Sequence, residues 1–549
     1  MTLNGLQLWL VTLVAGMALL VGASGGLSAD GAGEVRKGGT LRLASFEDVG
    51  PVDTALGYGG TKWAISYATC AKLFNHLDAE GATGTRIAPE VVRTWAVSRD
   101  RRVYDFELRR TFRFHTGAPV TAQSFADAFN RNADPRLKAL YATPSMREIE
   151  GAQAVIDGTA RSISGVRVLG RYRLQIRLTK PLGDFTGRLT LPFFCPVLPD
   201  TSRDAAGIND PAGSGPYYVA EYVPNHRLIL KRNPFYRGDR PARVDQVVWT
   251  SGLPREDCIR ETEENRIDQC FPPGFSPATA LRPLVDRYGI NRPGGQFFRD
   301  QGLITWYLAF NHDRPAFKGP GQIALKRAIN YAVDRPELVR TVGYLAGQRT
   351  DQMLPPSLGR AADIYPLDGP NLVAARRHYD QAVIKPPKLV FYTASGPGPV
   401  AQSQVLKFNL KQLGIDLEVK YFDTATLVEK AETRGEPFDL IRNGWGADYA
   451  DGGAFLVPVI DGRRFQATSN LNVAYFNDPW TNARIDAASR LTGEARRQAW
   501  ADLDIDLMRN NPPWVPLYNA SNRSFISRSF GCFLYHPIYG VDIAAACKK

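Results

Sequence analysis

The chain has 549 residues, 44% of them hydrophobic and 22% charged, which excludes wholesale disorder and leaves room for several domains of roughly 100–200 residues each. Its formal charge is +12, and the basic residues are scattered rather than run together. The charge therefore reads as a solvated, Arg-rich surface and not as a nucleic-acid footprint.

The first charged side chain is Asp30, and residues 8–23 before it are almost entirely apolar. Such a segment is short for a membrane span and has the length of a secretion-signal core. Ala23 and Ala29 are both usable before a cleavage point, so residues 1–29 are expected to be a signal peptide, although no Lys or Arg lies in it. The first Cys is Cys70, so a lipid-modified amino terminus is not indicated. No later stretch is apolar for long enough to span a bilayer.

Gly38-Gly39 leads into residues 40–44, which alternate as an opening strand. In residues 103–109, Tyr104, Phe106 and Leu108 fall on one face and Asp105, Glu107 and Arg109 on the other. Phe112 and Phe114 continue the period, and Tyr172, Leu174, Ile176 and Leu178 repeat it between arginines and Gln175. Period two predicts half-buried strands. Thr121 is placed to cap a helix through residue 130. Leu325, Ala328, Ile329, Ala332 and Val333 repeat at three and four, the mark of an amphipathic helix. Asp334 and Glu337 resemble a capping box for the next helix. Leu406, Leu410 and Leu413 share a helical face, Gly414 stops that helix, and residues 415–419 read as a strand. This alternation argues an α/β architecture. The pattern breaks near residues 291–300 and again at 510–513, with strands following at 303–310 and 514–519. Two such breaks let a chain leave one lobe, build another and return.

Cys258 with Cys270 and Cys532 with Cys547 are close in sequence, and local pairing leaves Cys70 with Cys195. Six cysteines permit many other arrangements, so connectivity stays open at this stage. No C-x-x-C is present, which argues against a zinc knuckle or a thioredoxin-type site.

Enzyme chemistry finds no foothold. The six His are isolated, and H-E-x-x-H, G-x-S-x-G, Walker A and G-x-G-x-x-G are all absent. The unusual stretch is 438–453, where a short apolar strand enters a Gly-rich turn bearing Arg442, Gly444, Trp445, Gly446, Asp448, Tyr449 and Asp451. Glycines admit close backbone approach, and Trp and Tyr offer flat amphipathic contact. A dehydrated Asp favours a cationic ligand group, and Arg favours a carboxylate. A tight turn, an Asx-capped helix start and a packing Trp explain the same residues without any ligand. Asp448-x-x-Asp451-Gly hints at calcium but lacks the other ligands of a full loop.

Five stretches together resemble a known family. They are Gly38-Gly39-Thr40-Leu41; Trp95 to Asp100 with Tyr104-x-Phe106-x-Leu108-Arg109 and Phe112-x-Phe114-x-x-Gly117-x-Pro119; Gly215-Pro216-Tyr217 with Arg232-Asn233-Pro234-x-Tyr236; Lys326 to Arg335; and Gly444-Trp445-x-Ala447-Asp448-Tyr449. In this order the chain is similar to the solute-binding subunits of ABC importers for oligopeptides, dipeptides and nickel. The resemblance implies a two-lobed, periplasmic-binding-protein-like fold of type II, in its large peptide-binding class. Lobe I is expected over 30–300, with an extra subdomain at about 60–195, lobe II over 301–511, and a return to lobe I over 512–549. It further implies a monomeric, extracytoplasmic receptor with no cofactor, no metal and no enzymatic activity, which captures a peptide and passes it to membrane permease subunits. A sugar, opine or metal chelate is the alternative cargo within the same fold. Asp448 is expected to hold the ligand α-amino group, and residues 444–446 to hydrogen-bond its backbone. Arg442 is expected to take a carboxylate, Trp445 and Tyr449 to line the site, and Tyr58 to face it from lobe I. Gly446, Ala450 and Gly452-Gly453 depart from the common family wording.

Overall fold

The structure is a computed structural model that describes residues 37–271 and 278–549. The expected signal peptide lies outside the described residues. No described helix is long and apolar enough to cross a membrane.

Three principal sheets organise the chain. The first has five strands in the order Gln269–Phe271, Thr40–Ser45, Gln246–Ser251, Arg227–Arg232, Tyr217–Val223. Thr40–Ser45 runs parallel to both of its neighbours, and the other pairs are antiparallel. Leu41, Leu43, Leu228, Leu230, Tyr217 and Trp249 fill the core against it. The second sheet is antiparallel: Val92–Val97, Val103–Leu108, Arg173–Arg177, Val166–Gly170. Tyr104, Phe106, Leu108, Leu174 and Ile176 point inward, as their alternation requires, and meet Phe125 and Phe129 of the helix Ala122–Ala133. Thr121 caps that helix in a reciprocal box with Ser124.

The third sheet has six strands, in the order Gly347–Arg349, Trp514–Phe525, Phe297–Phe310, Leu440–Gly446, Lys388–Ala394, Asp416–Phe422. Two cores sandwich it. Leu325, Ala328, Ile329 and Ala332 of the helix Ile323–Ala332 pack on one side with Leu406 and Leu410. Phe455 and Leu456 pack on the other side with Trp500, Leu503 and Leu507 of the helix Gly493–Asn510. Only half of the second capping box forms. Asp334 Oδ1 accepts from the Glu337 backbone at 3.0 Å, while the Glu337 side chain turns to Arg340. Gly414 sits at φ +83°, the left-handed turn that ends a helix before the strand Asp416–Phe422.

Phe297–Phe310 and Trp514–Phe525 pair antiparallel and join the halves of the molecule. Their register slips between Gln301 and Thr305. Trp514–Phe525 belongs to the six-stranded sheet. The chain rejoins the first half at Ile526, which bridges Gln269. Before Trp514–Phe525, the helix Gly493–Asn510 ends at the C-cap Asn511.

All six cysteines are bridged: Cys70–Cys195, Cys258–Cys270 and Cys532–Cys547. The first closes a loop of 125 residues and the second a loop of 12. Chain entropy assigns them stabilities of about 5 and about 3 kcal/mol. Chemical denaturation is expected to show the larger loss for C70A/C195A and the smaller for C258A/C270A.

Candidate ligand-binding cleft

The strand Leu440–Gly446 leads to the site. It pairs along its length with Phe297–Phe310, but its other neighbour, Lys388–Ala394, reaches only Leu440 and Ile441. Its far edge therefore has no strand partner beyond Ile441 among the described residues. An open edge of this kind can accept an extended chain by strand addition.

The face of this strand bearing Arg442, Gly444 and Gly446 is crowded by the neighbouring strand. A Cβ on Gly444 would lie 2.8 Å from the Trp306 ring, and one on Gly446 would lie 3.0 Å from Ile304. The Arg442 guanidinium sits 4.1 Å from the Trp306 ring centroid and donates to Tyr518 Oη at 3.3 Å. Trp445 points to the opposite side and is 8% exposed within the core. These four residues are not among those lining the cleft described next.

That cleft is a partly open cavity of ≈ 120 Å³ between the two halves. Tyr58, Tyr141, Arg147 and Glu148 line it from the first half, and Asp448, Tyr449 and Arg464 from the second. Of the expected site residues, Tyr58, Asp448 and Tyr449 are thus brought together here.

Asp448 and Asp451 lie one turn apart in sequence and have different environments. Asp451 caps the helix Gly452–Ile460 through the backbone of Gly453 and Ala454, and it receives both arms of Arg496 at 2.7 Å. Asp448 has no cation within ion-pair distance among the described residues. Its partner is the Tyr58 hydroxyl, which donates to Oδ1 at 2.9 Å across the cleft. Burial disfavours the charged carboxylate, and the Tyr58 hydrogen bond offsets this only in part, so the Asp448 pKa is pushed up to about 7. Tyr58 is held by stacking on Tyr141, with centroids 4.3 Å apart and planes 7° from parallel.

A second group of contacts ties the halves together. Tyr449 donates to Asp184 Oδ2 at 2.6 Å, and its ring packs where Gly187 leaves room. Asp184 also faces Arg188 at 3.3 Å and Arg496 at 3.5 Å. Burial pushes Asp184 upward, but Arg188, Arg496 and the Tyr449 hydroxyl together hold it below the usual carboxylate range. Glu148 joins Arg188 at 2.7 Å to Arg464 of the other half at 3.4 Å. The Gly183 backbone donates to Ser489 O at 2.9 Å. Sequence reading missed Tyr141, Arg147, Glu148 and Asp184, which lie in irregular segments with no period to flag them. No described His, Cys, Asp or Glu cluster could hold a metal ion.

Two halves with a half-buried, cation-free carboxylate in the cleft between them fit a solute-binding protein. The chain belongs to the family described as "Bacterial extracellular solute-binding proteins, family 5 Middle", whose profile matches residues 86–466. It is 26% identical over 478 residues to the periplasmic murein peptide-binding protein MppA of Escherichia coli K12, covering 83% of each chain. It is 23% identical over 463 residues to the periplasmic oligopeptide-binding protein OppA of the same organism, covering 80% of each. Among solved structures it is similar to clavulanic acid biosynthesis oligopeptide binding protein 2, with a TM-score of 0.84, 25% identity, and coverage of 93% of this chain and 96% of that one. These relatives are binding proteins.

Asp184→Asn removes the charge that gathers Tyr449, Arg188 and Arg496. Breaking one side of a buried ion pair costs about 3–5 kcal/mol. Small-angle scattering of the ligand-free protein is expected to show a larger radius of gyration for this variant than for wild type.

Proposed function

We propose that this protein is the extracytoplasmic receptor of an ABC importer, that it captures a peptide with a free amino terminus between its lobes, and that it delivers the peptide to membrane permease subunits. Lobe I comprises the segment up to about residue 300 together with the chain after Ile526, and lobe II the intervening segment. One observation carries the reading: Asp448 is half-buried in the cleft wall, yet only a neutral hydroxyl meets it. A carboxylate out of water requires a positive partner or must take up a proton, and a ligand ammonium supplies that partner. The open edge of residues 442–446 adds a place for the peptide backbone, and the names of the peptide-binding relatives point the same way.

Titration calorimetry with alanine peptides tests the anchor. Asp448→Asn is expected to weaken binding of free-amino peptides by about 10- to 100-fold, the scale of a charged hydrogen bond. It should change binding of N-acetylated peptides much less. An equal loss for both, or no loss, removes the amino-anchor role.

The raised Asp448 pKa sets a pH dependence with a definite sign. Below pH 7 the free receptor carries a proton on this carboxyl, and an incoming ammonium expels it. Affinity for a free-amino peptide is therefore expected to rise between pH 5 and about pH 7 and then level off. Calorimetry at pH 6 in buffers of differing ionisation enthalpy should show proton release by wild type and none by Asp448→Asn.

A further inference from the structure

The charges lining the cleft nearly cancel in pairs. Its anionic side chains are Glu148, Asp184, Asp448, Asp461 and Asp486. Its cationic ones are Arg147, Lys180, Arg188, Arg463 and Arg464. Arg463 is bound to both Asp461 at 2.8 Å and Asp486 at 2.7 Å. Arg464 reaches Glu148 and Asp461, at 3.4 and 3.5 Å. Arg188 reaches Glu148 and Asp184, and Lys180 lies 4.0 Å from Glu148. One member of each sign is left over among the described residues, Asp448 and Arg147, and they do not pair with each other.

Arg147 is half-buried beside the irregular turn Thr143–Ser145. It makes no ion pair with any described carboxylate, and its Nε is buried without a hydrogen-bond partner. A guanidinium presents a planar fork that suits a carboxylate, and a buried donor left unsatisfied is costly. The two unmatched groups also stand on opposite lobes: Asp448 follows the central strand of the second, and Arg147 follows Thr143–Ser145 of the first.

The geometry points to Arg147 as the carboxylate-binding residue of the cleft, so that the cargo is a zwitterion whose ammonium meets Asp448 and whose carboxylate meets Arg147. This inference rests on the amino-anchor reading of Asp448 and goes beyond it by assigning the opposite end of the ligand. It also gives the role foreseen for Arg442 to a different residue, since Arg442 is stacked on Trp306 outside the lining. A zwitterion bound in this way links the lobes through its own length. Peptides with free amino and carboxyl termini have both groups, whereas N-acetyl peptides, amides and uncharged solutes do not.

The test uses the full mature protein, purified free of ligand, and calorimetry with alanine peptides from dialanine to pentaalanine. Each is supplied as the free peptide, the carboxyl-terminal amide and the N-acetyl derivative. Wild type is expected to bind at least one free peptide about 10- to 100-fold more tightly than its amide, the range of a hydrogen bond to a charged group. Arg147→Gln should bring the free peptide down to the affinity of the amide while leaving the penalty for N-acetylation intact. Arg147→Lys should restore part of the difference, because it restores charge without the fork. A thermal melt within a few degrees of wild type shows that each variant is folded. An acid-to-amide ratio unchanged by Arg147→Gln overturns the inference about Arg147. In that event a lost N-acetyl penalty in Asp448→Asn leaves the amino anchor standing. Failure of wild type to bind any of the free peptides overturns both.

Discussion

A carboxylate cannot be taken out of water and left alone, and the fold places Asp448 under that constraint. The surrounding protein half-buries it and supplies a tyrosine hydroxyl in place of a cation. Neighbouring Asp451 shows what a satisfied acid looks like here, with a helix cap on one side and a bidentate guanidinium on the other. The contrast shows that the protein can neutralise a buried acid in this region and does not neutralise Asp448.

The rest of the architecture positions that one group. Phe297–Phe310 and Trp514–Phe525 run from one half into the other, and their register shift near residues 301–305 lies where the strands leave the sheet interior. Beside them, Gly444 lets the Trp306 ring lie against the central strand, and Arg442 stacks on that indole from the same face. With Trp445 sunk in the core behind it, the strand is fixed on both faces and delivers Asp448 at its carboxyl end. From across the cleft, Tyr58 is locked by Tyr141 and carries its hydroxyl to Oδ1. Rigid support on both sides matters because an anchor that could retreat into solvent would lose its demand for a partner.

Much of this was legible in the sequence wherever a repeat period carries the information. Tyr104, Phe106 and Leu108 alternate because one side of their sheet is buried, and Leu325 through Val333 recur at helical spacing because one face meets the core. Thr121 and Gly414 announce helix ends through local chemistry that needs no tertiary context. The site is different, because its parts are distant in the chain: Tyr58 and Asp448 are 390 residues apart. Residue type could not separate Asp448 from Asp451, nor place Arg442 against Trp306 rather than against a ligand. Arg147 and Asp184 left no mark at all, since an isolated charge in an irregular loop looks the same whether it faces bulk water or a cleft. Only the resemblance singled out Asp448, and only packing reveals which charges remain unmatched.

That mismatch bears on how closure and capture are coupled. Asp184 gathers Tyr449, Arg188 and Arg496, and Glu148 meets Arg464, so part of the interface satisfies itself. Asp448 is met by no such contact, and burial pushes its pKa up to about 7. A ligand shifts a closure equilibrium only by the difference in its affinity for the two states, about 1.4 kcal/mol for each factor of ten. Contacts internal to the protein pair most charges of this interface, and the Asp448 carboxylate is the acid they leave without a cation among the described residues.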